Sequence, residues 1–164
     1  MKKIVSMTFI CCFLVLTTSC SKDDTGNNTS LNGTWRLTSY EIGFSADVNK
    51  DGAKNLNVLE EIDCDVNETL TFESNNQLTS EDSFNHVINI SKSNLNNDYV
   101  FDVLCAEGYV SFAETLETEE RSVLESSIVG NQLTRVFENA IEIYNEDFTE
   151  IIEFKNLKMG YTKL

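Results

Sequence analysis

Across most of this chain apolar side chains recur at every second residue. Leu70 and Phe72 alternate with Thr69 and Thr71, and Leu133, Arg135 and Phe137 alternate with Thr134 and Val136. Phe84, His86, Ile88 and Ile90 share one face of such a pattern, as do Tyr99, Phe101, Val103 and Cys105. The series opens with Trp35 and Leu37, then Tyr40 and Ile42. It continues through Val110, Phe112 and Leu116 with Glu114 between, then Phe148, Ile152 and Phe154, and closes with Leu157, Met159 and Tyr161. Side chains two residues apart point to the same side of a strand, so the pattern predicts half-buried antiparallel strands almost throughout. Turn residues separate the runs at Ser74-Asn75-Asn76-Gln77, Asn94 to Asp98, Glu107-Gly108 and Asn145-Glu146-Asp147, and Gly130-Asn131 is a hairpin signal. No proline demotes any run from a sheet. Only Asn55 to Ile62 suggests a helical turn. About eight or nine strands at roughly ten-residue spacing predict an all-β barrel or sandwich.

The first twenty residues follow a different logic. Lys2 and Lys3 are basic, Ile4 to Leu16 is mostly apolar, and Thr17, Thr18 and Ser19 are small residues ahead of Cys20. These are the parts of a secretory signal peptide. The apolar run is shorter than the roughly 20 residues that span a bilayer, which disfavours the alternative of a transmembrane anchor. Leu16-Thr17-Thr18-Ser19-Cys20 resembles the lipobox of bacterial lipoproteins. The resemblance implies that residues 1–19 are removed, that the Cys20 thiol receives a diacylglycerol, and that the new amine is acylated. Two or three acyl chains anchor stably where one is marginal. Ser21-Lys22-Asp23-Asp24 resembles the surface-export signal of one Gram-negative lipoprotein group. That implies display on the outer face of the outer membrane, with the periplasmic face, or a plain solvated tether, as alternatives. Thr25 to Ser30 is polar and reads as a spacer, making residues 20–30 a flexible tether and 31–164 the domain.

The chain has a net charge of −15, and loss of the two signal lysines takes it to −17. A chain so acidic is a poor ligand for nucleic acid or for anionic head groups, and it attracts cations. The roughly 130 residues after the spacer suffice for one domain with a real core, and a monomer is expected. Cys11 and Cys12 leave with the signal; Cys64 and Cys105 remain. An oxidising compartment favours a disulfide between them over two buried thiols. Closing a loop of about forty residues would stabilise by roughly 3–4 kcal/mol. Neither cysteine has a neighbouring histidine, so neither reads as a nucleophile.

Leu31-Asn32-Gly33-Thr34-Trp35-Arg36-Leu37 resembles the opening of lipocalin-like domains, with Gly33-x-Trp35 as the glycine–tryptophan signature of the first barrel strand. Glu68-Thr69-Leu70-Thr71-Phe72 before a polar turn, and Gly130-Asn131-Gln132-Leu133-Thr134, are similar to later parts of that pattern. The resemblance implies an antiparallel up-and-down meander forming a barrel of about eight strands over 31–164, with Trp35 closing one end. No second lipocalin motif is present, which leaves an open or flattened barrel as an alternative. The implied function is a non-enzymatic binding module for a small or apolar ligand, with Trp35, His86, Phe101 and Arg135 as pocket residues. The competing reading is a structural or interaction protein whose barrel is filled by its own side chains and which works through its loops.

Asp47-Val48-Asn49-Lys50-Asp51-Gly52-Ala53-Lys54-Asn55 is the one motif that carries chemistry. Oxygen-bearing side chains at positions 1, 3 and 5 and glycine at 6 match the start of a calcium loop. Ala53 would offer its carbonyl and Asn55 a ligand directly or through water. Position 12 is Val58, where a bidentate Glu belongs; Glu60 and Glu61 come late, and Asp63 or Asp65 are further substitutes. The flanking helices are missing, because Tyr40 to Gly43 reads as strand. The loop is therefore either a structural Ca²⁺ site or a plain Asp/Asn/Gly turn. Lipocalin-like domains of the lipoprotein group it resembles carry a similar acidic stretch followed by a cysteine, as Cys64 follows here.

The remaining candidates are weak. His86 is the only histidine, without partners at zinc-site or triad spacing, and reads as barrel-lining. Glu114, Glu117, Glu119 and Glu120 read as a solvated hairpin. With 27 acids in the chain, adjacent carboxylates arise by chance. No glycine-rich phosphate loop is present, and no enzymatic activity is expected.

Overall fold

The computed structural model describes residues 30–75, 77–115 and 123–164. The expected signal, Cys20, the tether to residue 29, and Leu116, Glu117, Glu119 and Glu120 lie outside the described residues. Among the described residues ten strands make one sheet: β1 Gly33–Ala46, β2 Asn55–Asn57, β3 Thr69–Phe72, β4 Gln77–Glu81, β5 Val87–Lys92, β6 Tyr99–Leu104, β7 Phe112–Thr115, β8 Val123–Val129, β9 Gln132–Asn145 and β10 Ile151–Lys163. A 3₁₀ turn, Val58–Glu60, follows β2; it takes up only part of the stretch where the sequence suggests a helical turn, since Asn55–Asn57 is strand. Gly130, with φ of +61°, takes the left-handed backbone that the short β8–β9 connection requires.

Three long strands form a spine. β1, β10 and β9 lie side by side and antiparallel, with Trp35 opposite Lys163 and Leu133 opposite Tyr161 at one end, and Ile151 opposite Tyr144 at the other. Two short strands share each margin of this spine. β3 pairs with the first half of β1 and β2 with its second half; β8 pairs with the first half of β9 and β5 with its end. Around one end the chain returns to its start: β1, β3, β4 and β7 are neighbours in turn, β8 pairs with β9, and β10 pairs with β1. Among the described residues no pairing joins β7 to β8, so the sheet curls into a half-barrel without a closed ladder.

The expected all-antiparallel meander needs correction at β5. The β5–β6 hairpin leaves the chain between β4 and β7, and its neck is pinned where Ser83 N–H donates to the Val110 carbonyl at 2.7 Å. Instead of staying beside β4 it crosses to β9, where β5 runs parallel with Ile90 opposite Ile143. Burial explains the excursion. An isolated hairpin is marginal in water, and this one buries Ile90 against Ile143 while Tyr99 stacks on Phe44 at 4.1 Å. Phe84 and His86, expected on a strand with Ile88 and Ile90, precede β5 in the connecting segment.

The interior is one apolar cluster. Trp35, Leu70, Leu78, Leu133 and Tyr161 fill the first end, and Ile42, Val58, Ile90, Ile141 and Ile143 the second. Fully burying each such side chain is worth roughly 1.5–3 kcal/mol. Leu37 and Ile42 both face inward although their numbers differ in parity, because the register with β10 shifts between Leu37 and Ser39. The inserted residue of this bulge restores the pattern on the far side.

At the second end, side chains close what strands do not. Cys105, just past edge strand β6, is disulfide-bonded to Cys64 in the β2–β3 connection, with a Cα–Cα distance of 5.4 Å. His86 ties the same two segments: its Nε2 lies 2.9 Å from the Asp65 carbonyl, and its Nδ1 accepts from Ala106 N–H at 3.0 Å. Phe84 stacks on Tyr40 at 4.5 Å and meets His86 edge-on.

Candidate functional site: the acidic loop

β1 ends at the buried Ala46, which pairs with Asn55 of β2, so Asp47 to Lys54 form a loop at one pole of the sheet. The loop folds on its own side chains. Asp47 Oδ2 accepts from Gly52 N–H at 3.1 Å, Asn49 Oδ1 from Asp51 N–H at 3.0 Å, and Asp51 Oδ1 from Ala53 N–H at 2.8 Å. Gly52 sits at φ of +93°, a conformation that side-chain-bearing residues rarely adopt.

The 3₁₀ turn selects which late acid joins the loop. Asn57 caps it, its Oδ1 accepting from Leu59 N–H and from Tyr40 N–H. The turn aims Glu61 back beneath the loop and leaves Glu60 exposed beside Asn57. Glu61 is 2 % exposed. Its Oε2 accepts from Val48 N–H at 3.0 Å and lies 3.5 Å from Asn49 N–H, and its Oε1 accepts from the Asn55 amide at 2.5 Å. A buried carboxylate is costly unless its oxygens are satisfied, and these donors satisfy it.

One oxygen is left over: Asp47 Oδ1 is buried and has no hydrogen-bond partner. A buried carboxylate oxygen without a donor calls for a cation or a water. The fit to a metal is partial, however. Among the described residues no three His, Cys, Asp or Glu side chains converge at metal-binding spacing. Asp47, Asn49, Asp51 and Glu61 therefore bring oxygens to one loop without a preformed carboxylate cage. Asp63 and Asp65 serve elsewhere through their carbonyls, near Cys105 and His86.

The four expected pocket residues do not converge. Trp35 is fully buried, its Nε1 donating to the Leu31 carbonyl at 2.7 Å and Lys163 Nζ lying 5.0 Å from its ring centre. Arg135 is buried with its guanidinium 5.2 Å from the Phe137 ring. His86 is a bridge between loops. Phe101 lines a cleft of about 460 Å³, shared with Phe44, Tyr99, Asp47, Asn97 and Asp98. Two other clefts, of about 220 and 410 Å³, open between β5 and β9 and beside β7. Trp35, Leu70, Leu133 and Tyr161 line none of the three.

The sequence reading missed a charged cluster near that cleft. Lys155 Nζ lies 2.6 Å from Glu153 Oε1, and the Tyr99 hydroxyl donates to Glu153 Oε2 at 3.3 Å. The Lys155 hydrogen bond holds the Glu153 carboxyl below its ordinary range, partly offset by burial. Burial, then the Glu153 charge, pushes the Tyr99 phenol up. The spacing Glu153-x-Lys155 places both on one face of β10, but Tyr99 arrives only through the hairpin's crossing. Comparison with known protein families, curated proteins and solved structures found no match to this chain.

Proposed function

We propose that this chain is a lipid-tethered, non-enzymatic surface module that works through its loops rather than by carrying a ligand inside a barrel. The observation that carries this reading is the filled interior: Trp35, Leu70, Leu78, Leu133 and Tyr161, each at most 1 % exposed, occupy the space where a lipocalin-like barrel would hold its ligand. Small β-barrels are either filled by side chains or hold one small ligand, and this packing supports the first alternative. The lipobox-like residues around Cys20 support the tether, and Ser21-Lys22-Asp23-Asp24 supports the outer face of the outer membrane. The chain enters the domain at Ser30, whose carbonyl accepts from Lys163 Nζ at 2.7 Å. β1 then runs fourteen residues to the acidic loop, a span of about 45 Å at roughly 3.3 Å per residue. On this reading the acidic loop and the β9–β10 turn point away from the membrane.

Asp47 Oδ1 supports a second element, a Ca²⁺ ion held by Asp47 with Asn49 and Asp51 and steadied from beneath by Glu61. Its role would be structural, with the modest affinity of extracellular modules, near 10⁻⁴–10⁻³ M.

Native mass spectrometry of the purified protein, with and without EDTA, tests both parts. The expected spectrum shows no copurified apolar ligand; a stoichiometric one overturns the packed-core reading. A melting temperature unchanged by millimolar Ca²⁺ overturns the metal. Recovery of a Cys20→Ala protein from the membrane fraction would overturn the lipid anchor.

A further inference from the structure

The outward face of the β9–β10 hairpin is unusual for so acidic a chain. Phe148, Ile152 and Phe154 are each about half exposed there, and Tyr144 stands beside Phe148 with ring centres 5.8 Å apart. Contiguous apolar surface of this kind marks interaction sites more often than single exposed residues do.

Phe148 is also held in a strained conformation. Its φ is +55°, in the left-handed region that a bulky side chain avoids. Asn145 enforces it: the Asn145 carbonyl accepts from Phe148 N–H at 3.0 Å, and its side chain bonds Thr149 through both N–H and hydroxyl. The turn thus presents an aromatic ring to solvent against the backbone's own preference. Strain of this sort persists where the surroundings over-determine it and clusters at binding sites.

A socket lies next to this shelf. Where β5 and β9 part, a cleft of about 220 Å³ opens beside Tyr144 and Glu142, floored by Ile42, Ile88, Ile90 and Ile141. Its accessible lining is more polar than apolar, so it borders the shelf without extending the shelf's apolar surface.

The surrounding charge selects the occupant. From Ile141 to Phe154 the chain carries Glu142, Glu146, Asp147, Glu150 and Glu153 and no Lys or Arg. Glu153 turns inward to Lys155 and Lys92; Glu142 accepts from the Tyr144 hydroxyl and Glu146 from Asn94 N–H, and all the acids but Glu153 are exposed. A second copy would set acid against acid across a two-fold interface, and an anionic membrane would be repelled in the same way. We infer that this face docks a protein segment in which apolar or aromatic side chains alternate with lysine or arginine. The inference stands on the hairpin and the cleft beside it and does not depend on calcium or on the lipid anchor.

The test uses ¹⁵N-labelled protein and a synthetic peptide alternating lysine with leucine and phenylalanine. Two control peptides replace lysine by glutamate, or the apolar residues by serine. The expected result is amide shifts confined to Tyr144–Phe154 and the β5–β9 cleft with the first peptide alone. Phe148→Gly removes the ring and relieves the backbone, so binding should weaken about ten-fold or more while the melting temperature holds or rises. Phe154→Ser should weaken binding comparably. Equal binding of the serine control would reduce the effect to bulk charge and overturn the inference. So would undiminished binding in both variants, self-association abolished by Phe154→Glu, or cosedimentation with anionic phosphatidylglycerol vesicles.

Discussion

Glu61 and Glu60 are adjacent in the chain, yet one is sealed beneath the acidic loop and the other faces solvent. The 3₁₀ turn decides between them, since consecutive residues on a turn point apart and Asn57 fixes where it begins. His86 is governed in the same way by what the fold brings to it. Ala106 N–H donates to Nδ1, so Nδ1 carries no proton, and Nε2 must donate to the Asp65 carbonyl. Long-range ¹H–¹⁵N correlation spectra at neutral pH should therefore show the Nε2–H tautomer, and an Nδ1–H pattern would contradict the bridge. His86→Ala should cost about 0.5–1.5 kcal/mol, because two backbone groups exchange this partner for water. A second prediction concerns Glu153. Its carboxyl is held low in the folded state by the Lys155 hydrogen bond, so its contribution is present above the ordinary range near pH ~4.3 and is lost as pH falls through the lowered value. Acid unfolding of Glu153→Gln should show a flatter limb below that range, by a small margin because the pair is solvent-screened. The Tyr99 phenol, raised by burial and by the Glu153 charge, should ionise above ~10 in an absorbance titration and move back part-way in the same variant. Of these residues, only the spacing Asp47-x-Asn49-x-Asp51-Gly52 was legible in the sequence, because a loop's internal hydrogen bonds are local. The hydrogen-bond partners of Glu61, His86 and Tyr99 lie 6 to 54 residues away, most of them in other elements.

At the scale of elements, alternation located most of the strands, since period two is a local property of a half-buried sheet. It also carried a mark of the bulge: the apolar positions move from Trp35 and Leu37 to Tyr40 and Ile42, an odd-to-even jump that a regular strand cannot accommodate. What alternation could not show is where the β5–β6 hairpin lands. Both faces of that hairpin carry apolar residues: Val87, Val100 and Leu104 outward, Ile90 and Phe101 inward. Its pattern therefore does not choose a neighbour. The choice is made by what the hairpin buries, Ile90 against Ile143 and Tyr99 on Phe44, while Ser83 and Val110 pin its neck and the disulfide fastens its edge strand. The pairing of Cys64 with Cys105 was legible from cysteine count together with the expectation of an oxidising compartment. Its structural role in fastening an unpaired sheet edge was not. Cys64→Ser with Cys105→Ser should lower unfolding stability by about 3–4 kcal/mol on the chain-entropy model, with a loop of 41 residues. Because His86 still bridges the same segments, the double variant should keep its native chemical shifts around Ile90 and Ile143. Their loss would show that the disulfide, rather than packing, holds the hairpin on β9.

The whole molecule combines a filled core with a net charge of −15. Repulsion among so many acids opposes the compact state, and salt screens it over a Debye length of about 10 Å at 0.1 M. Added NaCl should therefore raise the melting temperature gradually and without saturation at low millimolar concentration. Calcium at the acidic loop should behave differently. A single site that binds only the folded state stabilises as RT ln(1 + [Ca²⁺]/Kd), which for ten-fold excess over Kd is about 1.4 kcal/mol. That increment should saturate in form, persist in 0.15 M NaCl, and be matched poorly by Mg²⁺, which resists losing its waters to a loop of mixed amide and carboxylate oxygens. Asp47→Asn keeps the size of the side chain and its bond from Gly52 N–H while weakening the oxygen that now lacks a partner. In that variant the calcium increment should vanish and the NaCl response should remain. Thermal melts across both titrations separate the two effects. If Ca²⁺ and Mg²⁺ act alike at equal ionic strength and Asp47→Asn changes neither curve, the stabilisation belongs to the field of the whole chain and the loop is held by its hydrogen bonds alone.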